Sequence, residues 1–284
     1  MSEPNELVGL LELERVDDAT FTAPARDLSG GSVVFGGQLL AQSLMAGATI
    51  DPTKDVKSLH TVFARGASLD HPLTYEVDVM QKGRAFASAS VTARQGDRLC
   101  TRSLVLLSAA EPDLIRHQPD RPDVASPDAN ARPSHGLPFW EMAVVDDVDI
   151  SDPDAVGPAE LAVWSRFPGA PLDATTSRAL LGFASDGFLI GTAMRPHAGV
   201  GQSLAHVSIS TTVISQTLSF HEPFDASEWL LLDQRSPYAG RGRSYGRGDV
   251  YAADGRYVAS FVQENMIRDF PKDQRPASGK RSKF

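Results

Sequence analysis

The sequence predicts an α+β protein made of two similar units in tandem, each an antiparallel sheet wrapped round one apolar helix. Three observations predict it. A helical pattern of apolar and small residues occurs once in each half, at 38–48 and 175–184, and strand patterns follow it each time. Between the halves, residues 111–138 hold six prolines and four aspartates with little apolar periodicity, as an extended surface connector would. A short internal match joins the halves: Val91-Thr92-Ala93-Arg94-Gln95-Gly96-Asp97-Arg98-Leu99-Cys100 against Asp249-Val250-Tyr251-Ala252-Ala253-Asp254-Gly255-Arg256-Tyr257-Val258. The units read as 10–110 and 139–268, followed by a polar, basic tail at 269–284. Periodicity leaves open whether two sheets pair edge to edge, leaving a crevice between their helices, or a single large mixed sheet runs through both units.

Taken in order, residues 3–16 read as an amphipathic helix or lead-in. Phe21-Thr22-Ala23-Pro24-Ala25 reads as an edge strand, where a proline is tolerated. The turn-rich 28–37 ends in Phe35-Gly36-Gly37. In 38–48, Leu40, Leu44 and Ala48 recur four apart with Ala41 and Met45 beside them, the pattern of a buried helix. Four strands are expected at 58–64, 73–81, 85–94 and 99–109, the last two joined by Gln95-Gly96-Asp97-Arg98. The second half predicts strands at 141–147 and 160–167. A helix at 175–184 follows, capped near Asp173 and ended by Asp186-Gly187. Further strands are expected at 205–214, 217–220, 229–232, 244–252 and 257–263. The last two form a hairpin through Ala253-Asp254-Gly255-Arg256, in which Gly255 can take a positive φ. That hairpin needs a second face on which to bury Val258, Phe261 and Val262.

With 284 residues, 42% hydrophobic and 22% charged, the chain has the composition of a soluble globular protein of one large or two ordinary domains. No segment offers the ~20 apolar residues a membrane helix needs, so stable membrane insertion is not expected. No basic region precedes an apolar core at the N-terminus, which argues against a secretory signal. Cys100 is the only cysteine, which excludes an internal disulfide or a Cys-based structural zinc site and agrees with a reducing compartment. Cytoplasm is the default expectation. A net charge of −9 argues against general nucleic-acid binding but leaves room for an anionic small molecule at a local basic patch. The densest such patch is Arg235, Arg241, Arg243 and Arg247. His60, His206 and His221 lack any tight ligand spacing, so no metal site is expected. Cys100 reads as buried filler. The amides at Phe35-Gly36-Gly37 open a helix and can meet an anion or a carbonyl; the glycines also allow close passage of the chain.

Several segments together resemble the type II acyl-coenzyme A thioesterases, the TesB-like double-hotdog family. They are Phe35-Gly36-Gly37-Gln38, Ser58-Leu59-His60-Thr61-Val62-Phe63, Ala184-Ser185-Asp186, Arg195-Pro196-His197, Phe220-His221-Glu222-Pro223-Phe224, Glu228-Trp229-Leu230-Leu231 and Val258-Ala259-Ser260-Phe261-Val262-Gln263-Glu264. They cover nearly the whole chain in the family's order. The resemblance implies a tandem double hotdog and hydrolysis of fatty acyl-CoA to free acid and coenzyme A without a cofactor. It also implies assembly into a homo-oligomer. Its reacting groups are an aspartate, a serine or threonine, and a glutamine that orient a water. Carried over, the glutamine is Gln263 and the hydroxyl Ser236. Ser215 stands where the aspartate is expected, with no Asp or Glu between Gly187 and Phe220. Gly36, Gly37, Arg235, Arg241 and Arg243 are the substrate-binding candidates. A serine cannot replace a carboxylate as base. Slow hydrolysis, with a carboxylate recruited from elsewhere (Asp186 or Asp249), is therefore expected; the alternative is a non-hydrolytic acyl-CoA-binding or regulatory protein.

Overall fold

The computed structural model describes residues 9–26, 28, 33–127, 132–134, 137–169 and 171–270. The expected lead-in up to residue 8 and the tail from 271 lie outside them. The first half contributes strands β1 (Glu14–Arg15), β2 (Thr20–Ala23), β3 (Asp55–Phe63), β4 (Leu73–Lys82), β5 (Phe86–Gln95) and β6 (Arg98–Ser108), with helix α1 (Gly36–Ala48). The second contributes β7 (Arg132–Ser134), β8 (Leu137–Val144), β9 (Glu160–Arg166), β10 (Ile209–Phe220), β11 (Leu230–Gly240), β12 (Arg243–Ala252) and β13 (Tyr257–Asp269). Its helices are α2 (Ala174–Ser185) and the short α3 (Leu189–Met194).

The thirteen strands found among the described residues form one sheet, in the order β1-β2-β4-β5-β6-β3-β10-β13-β12-β11-β9-β8-β7. The two halves meet where β3 pairs antiparallel with β10, Leu59 opposite Leu218 and Thr61 opposite Gln216. The choice that periodicity left open thus falls to edge-to-edge pairing: the strands of each half stay together, and the two sheets join through the β3–β10 ladder into one continuous antiparallel sheet. On the outer face His60 Nδ1 lies 2.7 Å from Thr217 Oγ1, and at one end Lys57 Nζ donates to the Phe220 carbonyl at 2.6 Å. Arg178 of α2 also crosses between the halves, pairing with Asp55 at 2.7 Å.

Strand alternation sets the inner face. Leu59 and Thr61 of β3, Gln216, Leu218 and Phe220 of β10, and Ala259, Phe261 and Gln263 of β13 are buried there. Both long helices pack against that face and against each other. Aromatic rings fill the space around the C-terminal end of α2: Phe183 meets Phe35 at 5.1 Å and Trp140 at 5.6 Å between ring centroids, and Trp140 meets Phe188 at 5.9 Å. The connector crosses the outer face of the second half. There Trp164 Nε1 donates to the Ala125 carbonyl at 2.8 Å, and Gln118 bonds the Gly255 carbonyl and the Tyr257 amide.

Several elements differ from expectation for physical reasons. The two strands expected at 205–214 and 217–220 are one, because the irregularity between Val213 and Ser215 is a bulge and not a turn. The strand expected to stop at 232 continues to Gly240 and turns through Arg241 (φ 54°) and Gly242 (φ 71°), both left-handed as a two-residue hairpin requires. Alternating charged and buried residues hid that extension. Helix α3 escaped notice because six residues give too little periodicity.

The helix starts are unlike. Asp173 caps α2, its Oδ1 accepting from the amides of Thr175 at 2.9 Å and Thr176 at 3.0 Å. At α1 the capping position is Phe35, with no side-chain cap. Asp173→Ala is expected to lower stability by about 1 kcal/mol, read as a lower urea midpoint with an unchanged slope.

Candidate active site

The open start of α1 is met from the other half of the chain. Asp186, the residue directly after α2, turns its carboxylate to the first turn of α1 and accepts a hydrogen bond from the Gly37 amide. Glycines permit this approach. A Cβ on Gly36 would lie 2.7 Å from Asp186 Oδ2, and one on Gly37 would clash with the Phe183 carbonyl oxygen. The α1 entrance therefore excludes side chains so that the C-terminal end of α2 can reach it.

Gln263 on β13 donates from Nε2 to Asp186 Oδ1 at 3.0 Å and to Gln216 Oε1 at 3.1 Å. Gln216 in turn donates to Ser185 Oγ at 2.6 Å, and Ser185 donates to the Gly182 carbonyl at 2.9 Å. This chain fixes the rotation of the Gln263 amide. Its nitrogen is committed to Asp186 and Gln216, and its Oε1 is a buried acceptor without a partner among the described residues. An unpaired buried acceptor is costly unless a ligand or water uses it.

Burial pushes the Asp186 carboxyl up to about 7, although the Gly37 amide and Gln263 both favour its charged form. A carboxyl with this value is largely ionised just above neutrality and can accept a proton there.

The structure brings together Gly36, Gly37 and Gln263 among the sequence candidates, with Asp186 as the carboxylate. It separates the others. Ser215 is opposite Glu264 in the ladder while Gln216 is opposite Gln263. With side chains alternating across the strand, Ser215 lies on the face away from Gln263. The placing of Ser215 beside Gln263 is therefore corrected: the carboxylate that meets Gln263 is Asp186, at a helix terminus. The non-hydrolytic alternative rested on that serine.

Ser236 does sit on the inner face, but two strands from Gln263. Its hydroxyl donates to the Tyr245 carbonyl at 2.9 Å, and Leu189 packs over the intervening Gly246. Arg235 is exposed on the outer face and pairs with Asp249 at 3.4 Å, while Asp249 also accepts from the Tyr257 hydroxyl at 2.7 Å. Neither Asp249 nor Arg235 reaches Gln263. Arg241 and Arg243 occupy the exposed β11–β12 hairpin tip, and Arg247 points outward beside Val262. Cys100 is buried with its thiol pushed up by desolvation. Among the described residues no group of three or more His, Cys, Asp or Glu could hold a metal ion.

Sequence reasoning missed Gln216 and Ser185. A signal existed for the first: Gln216 shares parity with Leu218 and Phe220, so alternation alone puts it on the core face.

The acyl-CoA thioesterase C-terminal domain family matches residues 117–267, and the acyl-CoA thioesterase N-terminal domain family matches 24–108. Acyl-CoA thioesterase 2 of Haemophilus influenzae is 29% identical, over 93% of this chain and 97% of that protein. Human acyl-coenzyme A thioesterase 8 is 27% identical, over 93% and 89%. Among solved structures, a TesB protein of Mycobacterium avium subsp. paratuberculosis superposes with a TM-score of 0.80 at 25% identity, over 93% of this chain and 99% of that one. The acyl-CoA thioesterase II TesB2 of Mycobacterium marinum gives 0.78 at 25%, over 95% and 99%.

The raised carboxyl carries a stability prediction. Since the folded value, about 7, lies above the ordinary 3.8, the folded chain holds the proton more tightly than the unfolded one. Stability from this group is therefore full below pH ~4 and falls as pH rises to about 7. Asp186→Asn removes that penalty. It should match the wild type at pH 4 and exceed it at pH 8, by up to about 4 kcal/mol at 1.36 kcal/mol per unit. Denaturant unfolding at both pH values checks this.

Proposed function

Because this chain belongs to the acyl-CoA thioesterase family, we propose that it hydrolyses fatty acyl-CoA through a water held between Asp186 and Gln263. One observation carries the reading: the Gln263 amide nitrogen is spent on Asp186 Oδ1 and Gln216, which leaves its Oε1 and the carboxylate as adjacent acceptors at the start of α1.

A water donating one hydrogen to each acceptor presents its lone pair to a bound thioester carbonyl. As its oxygen bonds to the carbonyl carbon, Asp186 takes the proton. Negative charge develops on the carbonyl oxygen, and the positive end of α1 at Gly36-Gly37 lowers its energy. Collapse of the tetrahedral intermediate breaks the C–S bond. The proton then passes to the departing sulfur, releasing coenzyme A thiol and the carboxylic acid. Of the two glycine candidates, Gly36 offers its backbone to the substrate at the α1 start, while the Gly37 amide is held by Asp186. Ser236 holds β11 to β12 at the rim, and the arginines of the hairpin tip lie on exposed strands open to the solvent.

Free-thiol release from a panel of acyl-CoAs tests the proposal. Asp186→Asn should lower kcat by ~10²–10⁴-fold, the usual worth of a general base. Gln263→Ala should lower it too, and Ser215→Asp should leave it unchanged. In the wild type kcat/KM should rise with pH through about 7 and level off, since only the ionised carboxylate accepts the proton. Wild-type turnover in Asp186→Asn would overturn the assignment.

A further inference from the structure

One polar side chain on the inner face of the sheet takes no part in the Asp186–Gln263 site and is nonetheless buried. Gln234 of β11 is 1% exposed, between Leu232 and Ser236 in the set that alternation turns inward. Its neighbours across the ladder are Gly248 of β12 and Leu161 of β9, and neither offers a polar side chain. Both ends of its amide, Nε2 and Oε1, are buried without a partner among the described residues. An amide left wholly unpaired in the interior is costly, and an apolar side chain would fill the position without that cost.

A lane across β12 joins Gln234 to the candidate active site. Gln263 stands opposite Gly246, and Gly248, two residues on, stands opposite Gln234. Neither glycine has a positive φ, so what they supply is space. A Cβ on Gly246 would lie 2.7 Å from a methyl carbon of Leu189, and one on Gly248 would clash with the Phe261 ring. The floor of the lane is therefore bare backbone. What stands over it is one leucine side chain from α3 and one ring from β13, both apolar and both able to turn about side-chain bonds. Two strand spacings and two residues along the strand put about 12 Å between the α-carbons of Gln263 and Gln234.

We propose that this lane takes the acyl chain, and that Gln234 binds a hydroxyl group near the far end of a medium-length chain. This rests on the acyl-CoA reading of the site and narrows its substrate class. Hydrogen-bond chemistry picks the group. An amide with both ends free is matched by a group that donates to Oε1 and accepts from Nε2. A hydroxyl does both through one oxygen. A keto oxygen only accepts and leaves Oε1 unpaired, and a carboxylate would also bring a charge into apolar surroundings. A methyl end leaves both amide atoms unpaired. Gln234 lies too far from the thioester to touch a reacting atom, so it sets specificity and takes no part in the chemistry.

Calorimetric titration with non-hydrolysable thioether analogues of acyl-CoA tests this without relying on turnover. The full chain receives medium-chain analogues that end in a methyl, a hydroxyl or a carboxylate. Wild type should bind the hydroxyl analogue about tenfold or more tightly than the methyl one, and the carboxylate analogue most weakly. Gln234→Leu should reverse the preference for hydroxyl over methyl. It should also raise the urea midpoint, since it removes an unpaired buried amide. Gln234→Met, closer in length to glutamine, should show the same reversal. Equal wild-type affinity for the methyl and hydroxyl analogues, or a hydroxyl preference that survives both substitutions, would overturn the proposal. Thiol release from the matching acyl-CoAs, measured alongside, keeps the two readings apart: hydroxyl selection in binding without thiol release would support the lane and count against hydrolysis alone.

Discussion

The rest of the structure depends on one contact, the Asp186 carboxylate against the first turn of α1. A helix start without its own cap leaves backbone amides seeking an acceptor. In α1 the capping residue is Phe35 and the first turn holds no acidic side chain, so the acceptor comes from the opposite half. That requirement explains the glycines at 36 and 37, the close passage of the two helices, and the rings packed about Phe183. It also accounts for a carboxyl pushed up to about 7: the burial that the contact demands outweighs the amide and Gln263, which both favour the charge.

The two halves repeat a fold without repeating this arrangement. At α2 the equivalent amides are occupied by Asp173 from the same element. One helix start is closed by its own cap and the other is completed from across the molecule. The continuous sheet makes the second possible, since the β3–β10 ladder fixes β13 so that Gln263 and Gln216 stand side by side over Asp186. Hydrogen bonds through Gln216 and Ser185 then hold the Gln263 amide in one orientation, a pre-organised site on rigid elements.

Much of this was legible beforehand, for identifiable reasons. Helices α1 and α2 carry strong periodicity, and Asp173 and Gly255 mark a start and a turn by their chemistry. Gln263 and Gly36-Gly37 stood out as a polar side chain ending an apolar strand and a glycine pair opening a helix. Asp186 was legible only as one of two carboxylates that could be recruited from elsewhere; its contact with Gln263 was not, because it lies 77 residues away along the chain, at a helix end that only tertiary packing brings near. Ser215 misled because it was placed by its position in the family's order of segments; counted back from Phe220 and Leu218, alternation puts Gln216 on the core face and Ser215 on the other. The arginines of β11 and β12 formed a dense basic stretch in sequence, yet alternation turns Arg235 and Arg247 outward, away from Gln263.

The central claim is that one buried carboxyl, Asp186, titrates near neutrality. Infrared titration of the carboxyl bands in the full chain tests this without reference to turnover. The account predicts a single carboxyl band that changes from protonated to ionised around pH 7 and is absent from Asp186→Asn. A wild-type spectrum in which every carboxyl is already ionised by pH 5 would contradict it.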